Sequence, residues 1–301
     1  MMETGRSIQL FFVNGKPDGI LIANFFNWTG HILRTPRLEL STALARNEAQ
    51  FSGVYILIGQ NDGVTTTYIG ESDNIRERIK SHDAKKDWWD TAVLITSESD
   101  ALNKAHIRFL ESKLIQTAKI AGNCVLDNAT TPNLIPLNAA ETSDMNIFLE
   151  NILFALPTIG IDVFQNNKRT ENETITPTAR PSDVFELYMP KYNIRAKAQQ
   201  IDGEFIVLKG SEAHASWRGS SDHNYRKLHA DLVRRGIIIP KGEFATFTEN
   251  YAFSSPSAAA AMVTGRAANG RTEWKTADTK VSFGDWSDAK LKSELSETLN
   301  D

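Results

Sequence analysis

Apolar residues alternate or run in short β-branched blocks through the first third of the chain, and later recur at helical spacing. Ile8, Leu10 and Phe12 alternate with polar or smaller partners, Asn14 to Gly19 supplies turn chemistry, and Ile20 to Phe26 resumes a strand-like run. Residues 7–25 are therefore expected to form a hairpin. Residues 27–35 read as polar and irregular, and 38–48 as a short helix. A β-β-α-β-α block follows. Gly53 to Gly59 (GVYILIG) is a strong strand, Asn61-Asp62-Gly63 a hairpin turn and Thr65 to Ile69 the return strand. Ser72 is the expected cap of the next helix, with Asp73 favourable at its N-terminus. Trp88 to Thr96 reads as a strand, Ser99 or Asp100 as the cap of a helix to about Lys119, and Cys124 to Leu126 as a last short strand. Glu141 to Leu156 has the pattern of a helix covering this block.

The polar run 165–183, with two prolines, is the best linker in the chain. Beyond it, strands are expected near 184–189, 193–200 and 204–209, with a turn at Asp202-Gly203. A basic helix is expected from Asp222 to Arg235, then a helix opening at Ser255-Pro256 with proline at its first position. Strand-like residues follow around Thr272 to Trp274, and a polar tail after about Trp286. The expected organisation is a hairpin-and-helix extension over 1–50, a first domain over 51–160, a linker over 161–183, a second domain over 184–290 and a tail over 291–301.

Composition narrows the function classes. The 301 residues carry 37 acidic and 33 basic side chains, a net charge of −4, so any nucleic-acid contact must come from a local patch. One Cys excludes an internal disulfide framework and a Cys-based zinc site, and agrees with a cytoplasmic location. The start lacks a signal-peptide core, and the most apolar segment, Ile147 to Ile161, is broken by Glu150, Asn151 and Pro157, so no membrane span is expected.

Three features within 53–128 carry candidate chemistry. Tyr55 and Tyr68 lie on paired strands, nearly opposite each other if the turn centres on Asn61-Asp62. On the following helix Arg78 and His82 share a face with Ile75 and Ile79, so the Arg78 fork is aimed at the sheet edge, where it suits a phosphate or a carboxylate. Glu111 stands inside the apolar stripe Ile107, Leu110, Leu114, Ile115 and Ala118, where a carboxylate pays for desolvation unless it is paired or holds a metal. Each alone has an ordinary structural explanation: a strand tyrosine, an ion pair, a helix-end histidine, a snorkelling acid.

Together these residues resemble the GIY-YIG nuclease family over about residues 50–130. Its name motifs stand as Gly53-Val54-Tyr55 and Tyr68-Ile69-Gly70, with Val54 in place of Ile. The family's helix arginine matches Arg78, the histidine of some members matches His82, its metal-binding glutamate matches Glu111, and its later asparagine matches Asn128, with Asn123 as rival. The resemblance implies an α+β fold, a small mixed sheet flanked by helices, with a second small α+β domain behind it. It implies one-metal phosphodiester hydrolysis of DNA, with Mg²⁺ or Mn²⁺ at Glu111. Tyr55 would act as base or relay, Tyr68 would position water or phosphate, and His82 would share proton transfer. Arg78 would clamp the phosphate and Asn128 would brace the site. The stretch Ser255 to Ala260, with Gly265-Arg266, Asn269-Gly270 and Trp274, resembles an uncharacterised bacterial domain often fused behind such nucleases, here read as targeting or regulatory and a possible protein-partner site.

Local charge supports a nucleic-acid partner. Residues 75–86 hold Arg76, Arg78, Lys80, Lys85 and Lys86 against Glu77 and Asp83, and residues 189–241 hold ten basic against five acidic side chains. Within the basic helix, Arg226, Lys227, Arg234 and Arg235 have the spacing to line one side, with Trp217 and Tyr225 able to stack on bases. The alternative is a non-catalytic nucleic-acid-binding or regulatory protein on the same scaffold. Strand preference, sequence specificity and oligomeric state are not encoded in any recognised motif.

Overall fold

The computed structural model describes residues 5–83, 86–98, 101–129, 136–169, 184–201, 203–220 and 224–298. The chain divides into two compact units, 1–166 and 167–301. Both combine helices with sheets, an α+β architecture. Among the described residues no helix is long and apolar enough to cross a membrane.

The first unit runs β1 (Gln9–Phe12), β2 (Leu21–Asn24), β3 (Gly30–Pro36), α1 (Leu40–Leu44), β4 (Gly53–Asn61), β5 (Val64–Ser72), α2 (Ile75–Asp83), β6 (Trp89–Ser97), α3 (Lys104–Ala121), β7 (Val125–Leu126) and α4 (Ala139–Thr158). Among the described residues one sheet, ordered β1-β2-β3-β6-β4-β5-β7, contains every strand of this unit, and only the β5–β7 pair is parallel. Residues 1–50 are thus no separate extension: β2 and β3 continue the central sheet, and β3 forms where an irregular segment is expected. Tertiary pairing decides this, since all seven β3 residues register with β6 and Ile32 and Leu33 are buried.

Strand alternation sends Val54, Ile56, Ile69, Val93 and Ile95 into a core with α3 and α4. Tyr55, Leu57, Ala92 and Leu94 go into a core with α1 and α2 on the other face. Ile75 and Ile79 of α2 are fully buried there, each contributing roughly 1.5–3 kcal/mol. The β4–β5 turn is Asp62-Gly63, both with positive φ (51° and 75°), the conformation that matches hairpin twist. It lies one residue beyond the expected centre. Tyr55 therefore pairs with Gly70 and Leu57 with Tyr68, and the two tyrosines are diagonal neighbours on one face rather than opposite partners.

Caps differ from expectation as well. Asn74, not Ser72, accepts the Glu77 amide (3.2 Å) at the start of α2, while Ser72 Oγ accepts the Asn74 amide (3.0 Å). Asn103 caps α3 by accepting from the Ala105 and His106 amides at 2.9 and 3.0 Å; Ser99 and Asp100 lie outside the described residues.

The second unit runs β8 (Lys168–Arg169), β9 (Phe185–Met189), β10 (Ile194–Ile201), β11 (Glu204–Val207), β12 (Glu212–His214), α5 (Asn224–Arg234), β13 (Ile238–Lys241), β14 (Phe244–Phe247), β15 (Asn250–Phe253), α6 (Pro256–Thr264), α7 (Gly270–Glu273), β16 (Lys275–Thr276) and α8 (Phe283–Thr298). A six-stranded sheet, β16-β9-β10-β11-β15-β8, accompanies a three-stranded one, β12-β14-β13. The expected linker over 161–183 loses its first part: Ile161, Val163 and Phe164 are buried in the first core, and β8 pairs with β15. Residues 170–183 lie outside the described residues. The strand expected at 272–274 is instead the helical turn α7, capped by Asn269. Buried Trp274 ends it, donating from Nε1 to the Pro256 carbonyl at 3.0 Å. The expected tail is helical in α8.

Candidate active site

Among the described residues β7 registers with β5 at Thr66 and Thr67. Asn128 carries the pairing one step further with its side chain. Its Oδ1 accepts the Ile69 amide at 3.1 Å and its Nδ2 donates to the Ile69 carbonyl at 2.6 Å. Asn123 is engaged elsewhere, donating to the Asp162 and Gln165 carbonyls at 3.2 and 2.6 Å. The candidate residues gather beside β5, supplied from one face by α2 and from the other by α3.

Tyr55 lies fully buried in the α2-facing core, and its ring lies over Gly70. A Cβ at position 70 would come within 2.4 Å of the Tyr55 hydroxyl, which is the steric reason for the glycine. Helix periodicity brings His82, 8% exposed, onto the same face, and the Tyr55 hydroxyl and His82 Nε2 are 2.9 Å apart. Tyr68 completes an aromatic triangle, its ring 6.1 Å from Tyr55 and 4.8 Å from His82 between centroids. Burial first, then the Tyr68 hydroxyl, push the Tyr55 phenol well above its ordinary range, against the pull of Arg78. Arg78 is exposed and close enough to Tyr55 for the two to interact electrostatically. That interaction raises its pKa further.

Glu111 approaches from α3, half-buried within the apolar stripe. Desolvation first, then the nearby Glu71 carboxylate, raise its pKa from 4.5 to about 7, opposed by Arg108, Lys104 and Arg78. Glu71 and Lys104 went unnoticed in the sequence. Lys104 Nζ reaches Glu71 at 2.7 Å and Asp73 at 3.0 Å, tying the start of α3 to the end of β5. Period-two alternation from Val64 puts Glu71 on the α3 face with Ile69, a signal that was available. Hard oxygen donors and a carboxylate destabilised by its neighbour suit a divalent ion. Among the described residues no cluster of three or more His, Cys, Asp and Glu side chains could cage one. An ion at Glu111 would therefore keep most of its water.

The basic residues disperse. Arg76 and Lys80 of α2 turn away from the tyrosines and, with Arg37 and Ser41, line a pocket of about 510 Å³ beside α1. Lys86 lies over the Tyr68 ring at 4.6 Å and is bonded to Asp127. Lys85 lies outside the described residues. On α5, Arg226 and Lys227 are exposed and Arg234 pairs with Asp231. The Arg235 side chain is only 9% exposed, paired with Asp231 at 3.3 Å and set over the Tyr251 ring, so the four do not share a surface. Tyr251 lies on β15, far away in sequence, so helix spacing alone could not reveal this. Trp217 donates from Nε1 to the Ser220 carbonyl at 3.0 Å and packs against the second core.

Two family models match the chain. Residues 51–120 match the GIY-YIG catalytic domain, and residues 185–285 match a domain of unknown function, DUF4357. Among curated proteins and among solved structures nothing matches.

Proposed function

We propose that this chain, which carries a GIY-YIG catalytic domain ahead of a DUF4357 domain, is a metal-dependent nuclease that hydrolyses phosphodiester bonds in DNA. A GIY-YIG domain indicates a nuclease family and hence a nucleic-acid substrate. The observation that carries the finer reading is the meeting, beside β5, of a buried Tyr55–His82 pair, an exposed Arg78 and the disfavoured Glu111 carboxylate.

The chemistry follows from these placements. Tyr55 is a neutral phenol with a high pKa and a weak base by itself. Its hydroxyl takes a proton from the attacking water while passing its own to His82 Nε2, so Tyr55 stays neutral and the positive charge ends on the His82 imidazole. Arg78, always protonated and open to solvent on one side, clamps the scissile phosphate and offsets the charge that builds on it. Tyr68 orients the water or the phosphate from the neighbouring position. Asn128 holds the β5 edge in place through Ile69. Glu111 would hold Mg²⁺ or Mn²⁺, which when bound supplies positive charge at the leaving oxygen. Arg76 and Lys80 would contact flanking phosphates from the pocket beside α1.

The test is cleavage of labelled single-stranded, duplex and branched DNA, and of RNA, with Mg²⁺, Mn²⁺ or EDTA. Cutting of DNA that stops in EDTA is the expected result. Binding without cutting of any of these substrates would favour the non-catalytic reading instead.

A further inference from the structure

Two neighbouring cation–aromatic contacts lie in the second unit. Tyr188 of β9 is 47% exposed, although period two in a buried sheet favours polar residues there. Its cross-strand partner is Arg195 of β10, whose guanidinium lies over the Tyr188 ring at 4.4 Å. Within the β9–β10 connection, Tyr192 repeats the arrangement. Arg218 lies over its ring at 4.5 Å, Lys191 at 5.4 Å, and His214 of β12 meets it edge-on at 5.3 Å. The Tyr188 hydroxyl donates to Asn193 Oδ1 at 3.4 Å and the Arg195 amide to Glu212 Oε2 at 2.9 Å, which join the two stacks into one ledge. Burial nudges the Tyr192 phenol up, but Lys191 and Arg218 outweigh it and lower its pKa.

We infer that this ledge binds single-stranded nucleic acid, with bases stacking on the Tyr188 and Tyr192 rings and Lys191, Arg195 and Arg218 meeting the backbone. Planar rings held by guanidinium groups present π faces that any base can use, and the flanking cations complement phosphate. A duplex hides its base faces, so the ledge favours unpaired strands. An acidic protein segment would satisfy the cations but leave the rings unmatched. The inference is independent of cleavage, because binding is measured without metal.

The experiment is fluorescence anisotropy with the full chain carrying Glu111→Gln, in EDTA. The probes are labelled oligo(dT), oligo(U), the matching duplex and a polyglutamate peptide. Tyr188→Ala and Tyr192→Ala should each weaken oligo(dT) or oligo(U) binding about tenfold, while Tyr188→Phe and Tyr192→Phe retain it. Arg195→Gln and Arg218→Gln should each lower the salt slope by about 0.7. Melting temperatures check that the substitutions leave the fold intact, Tyr192→Ala above all, since Tyr192 is half-buried and packs against the second core. Wild-type affinity in the Tyr→Ala variants, or preference for the duplex or the peptide, would overturn the inference.

Discussion

The two units use arginine–tyrosine contacts in opposite ways. In the first, exposed Arg78 acts electrostatically on a tyrosine whose ring is fully buried, and His82 and Glu111 stand on otherwise apolar helix faces. In the second, Arg195 lies over Tyr188, which is exposed, and Arg218 over Tyr192, which is half-buried against the second core. Burial perturbs the groups of the first site and ties them to the packing around them. The second lies nearer the surface, where Lys191 and Arg218 still lower the Tyr192 pKa. Reactive groups need the former setting and stacking platforms the latter.

The sharpest way to separate the two is to remove one arginine from each. Arg78→Ala should lower kcat about 10²–10³-fold, the usual cost of losing one preorganised charge at a transition state. Arg78→Lys should recover only part, because it lacks the fork. Arg195→Gln should leave kcat unchanged and act on KM for single strands alone. Equal losses of kcat in both would break the comparison.

The next effect is on stability. Gly70→Ala forces a Cβ against the Tyr55 hydroxyl and Cζ, and should cost about 1–3 kcal/mol in denaturant unfolding. Asn128→Ala strips both Ile69 bonds from the edge and should cost about 1–3 kcal/mol. Tyr188→Ala, by contrast, should leave the unfolding midpoint unchanged.

A smaller effect comes from pH. Glu111 has a folded pKa of about 7, above its ordinary 4.5, so it binds its proton more tightly folded than unfolded. Its contribution to stability is therefore fully present below about pH 4.5 and is lost as pH rises through about 7. Without metal, the melting temperature of wild type should fall more across that window than that of Glu111→Gln, and Mn²⁺ should restore it. Parallel melting curves for the two proteins would contradict the assignment of strain to this carboxylate.

The candidate residues stand out in the sequence because they violate their own patterns. A glutamate inside an apolar stripe and a histidine and arginine on a helix face with two isoleucines each stand out by period. Exact register did not, since Asn61-Asp62 and Asp62-Gly63 are both acceptable turns and only the backbone decides between them. Glu71 and Lys104 escaped notice because a strand-end acid and a helix-start lysine are ordinary in isolation. In the second unit, strands of three or four residues such as β12, β14 and β15 carry too little pattern to read. Arg235 looked like surface because Tyr251, which covers it, arrives from another strand. The tyrosine ledge was invisible for a related reason: Tyr188 and Arg195 become neighbours only through the β9–β10 register.

The most direct measurement is cleavage of labelled DNA by wild type and Glu111→Gln side by side, in Mg²⁺ or Mn²⁺. The account predicts cutting by wild type and none by the variant, with oligonucleotide binding and melting temperature retained in both. A Glu111→Gln protein that cuts as fast as wild type would contradict it.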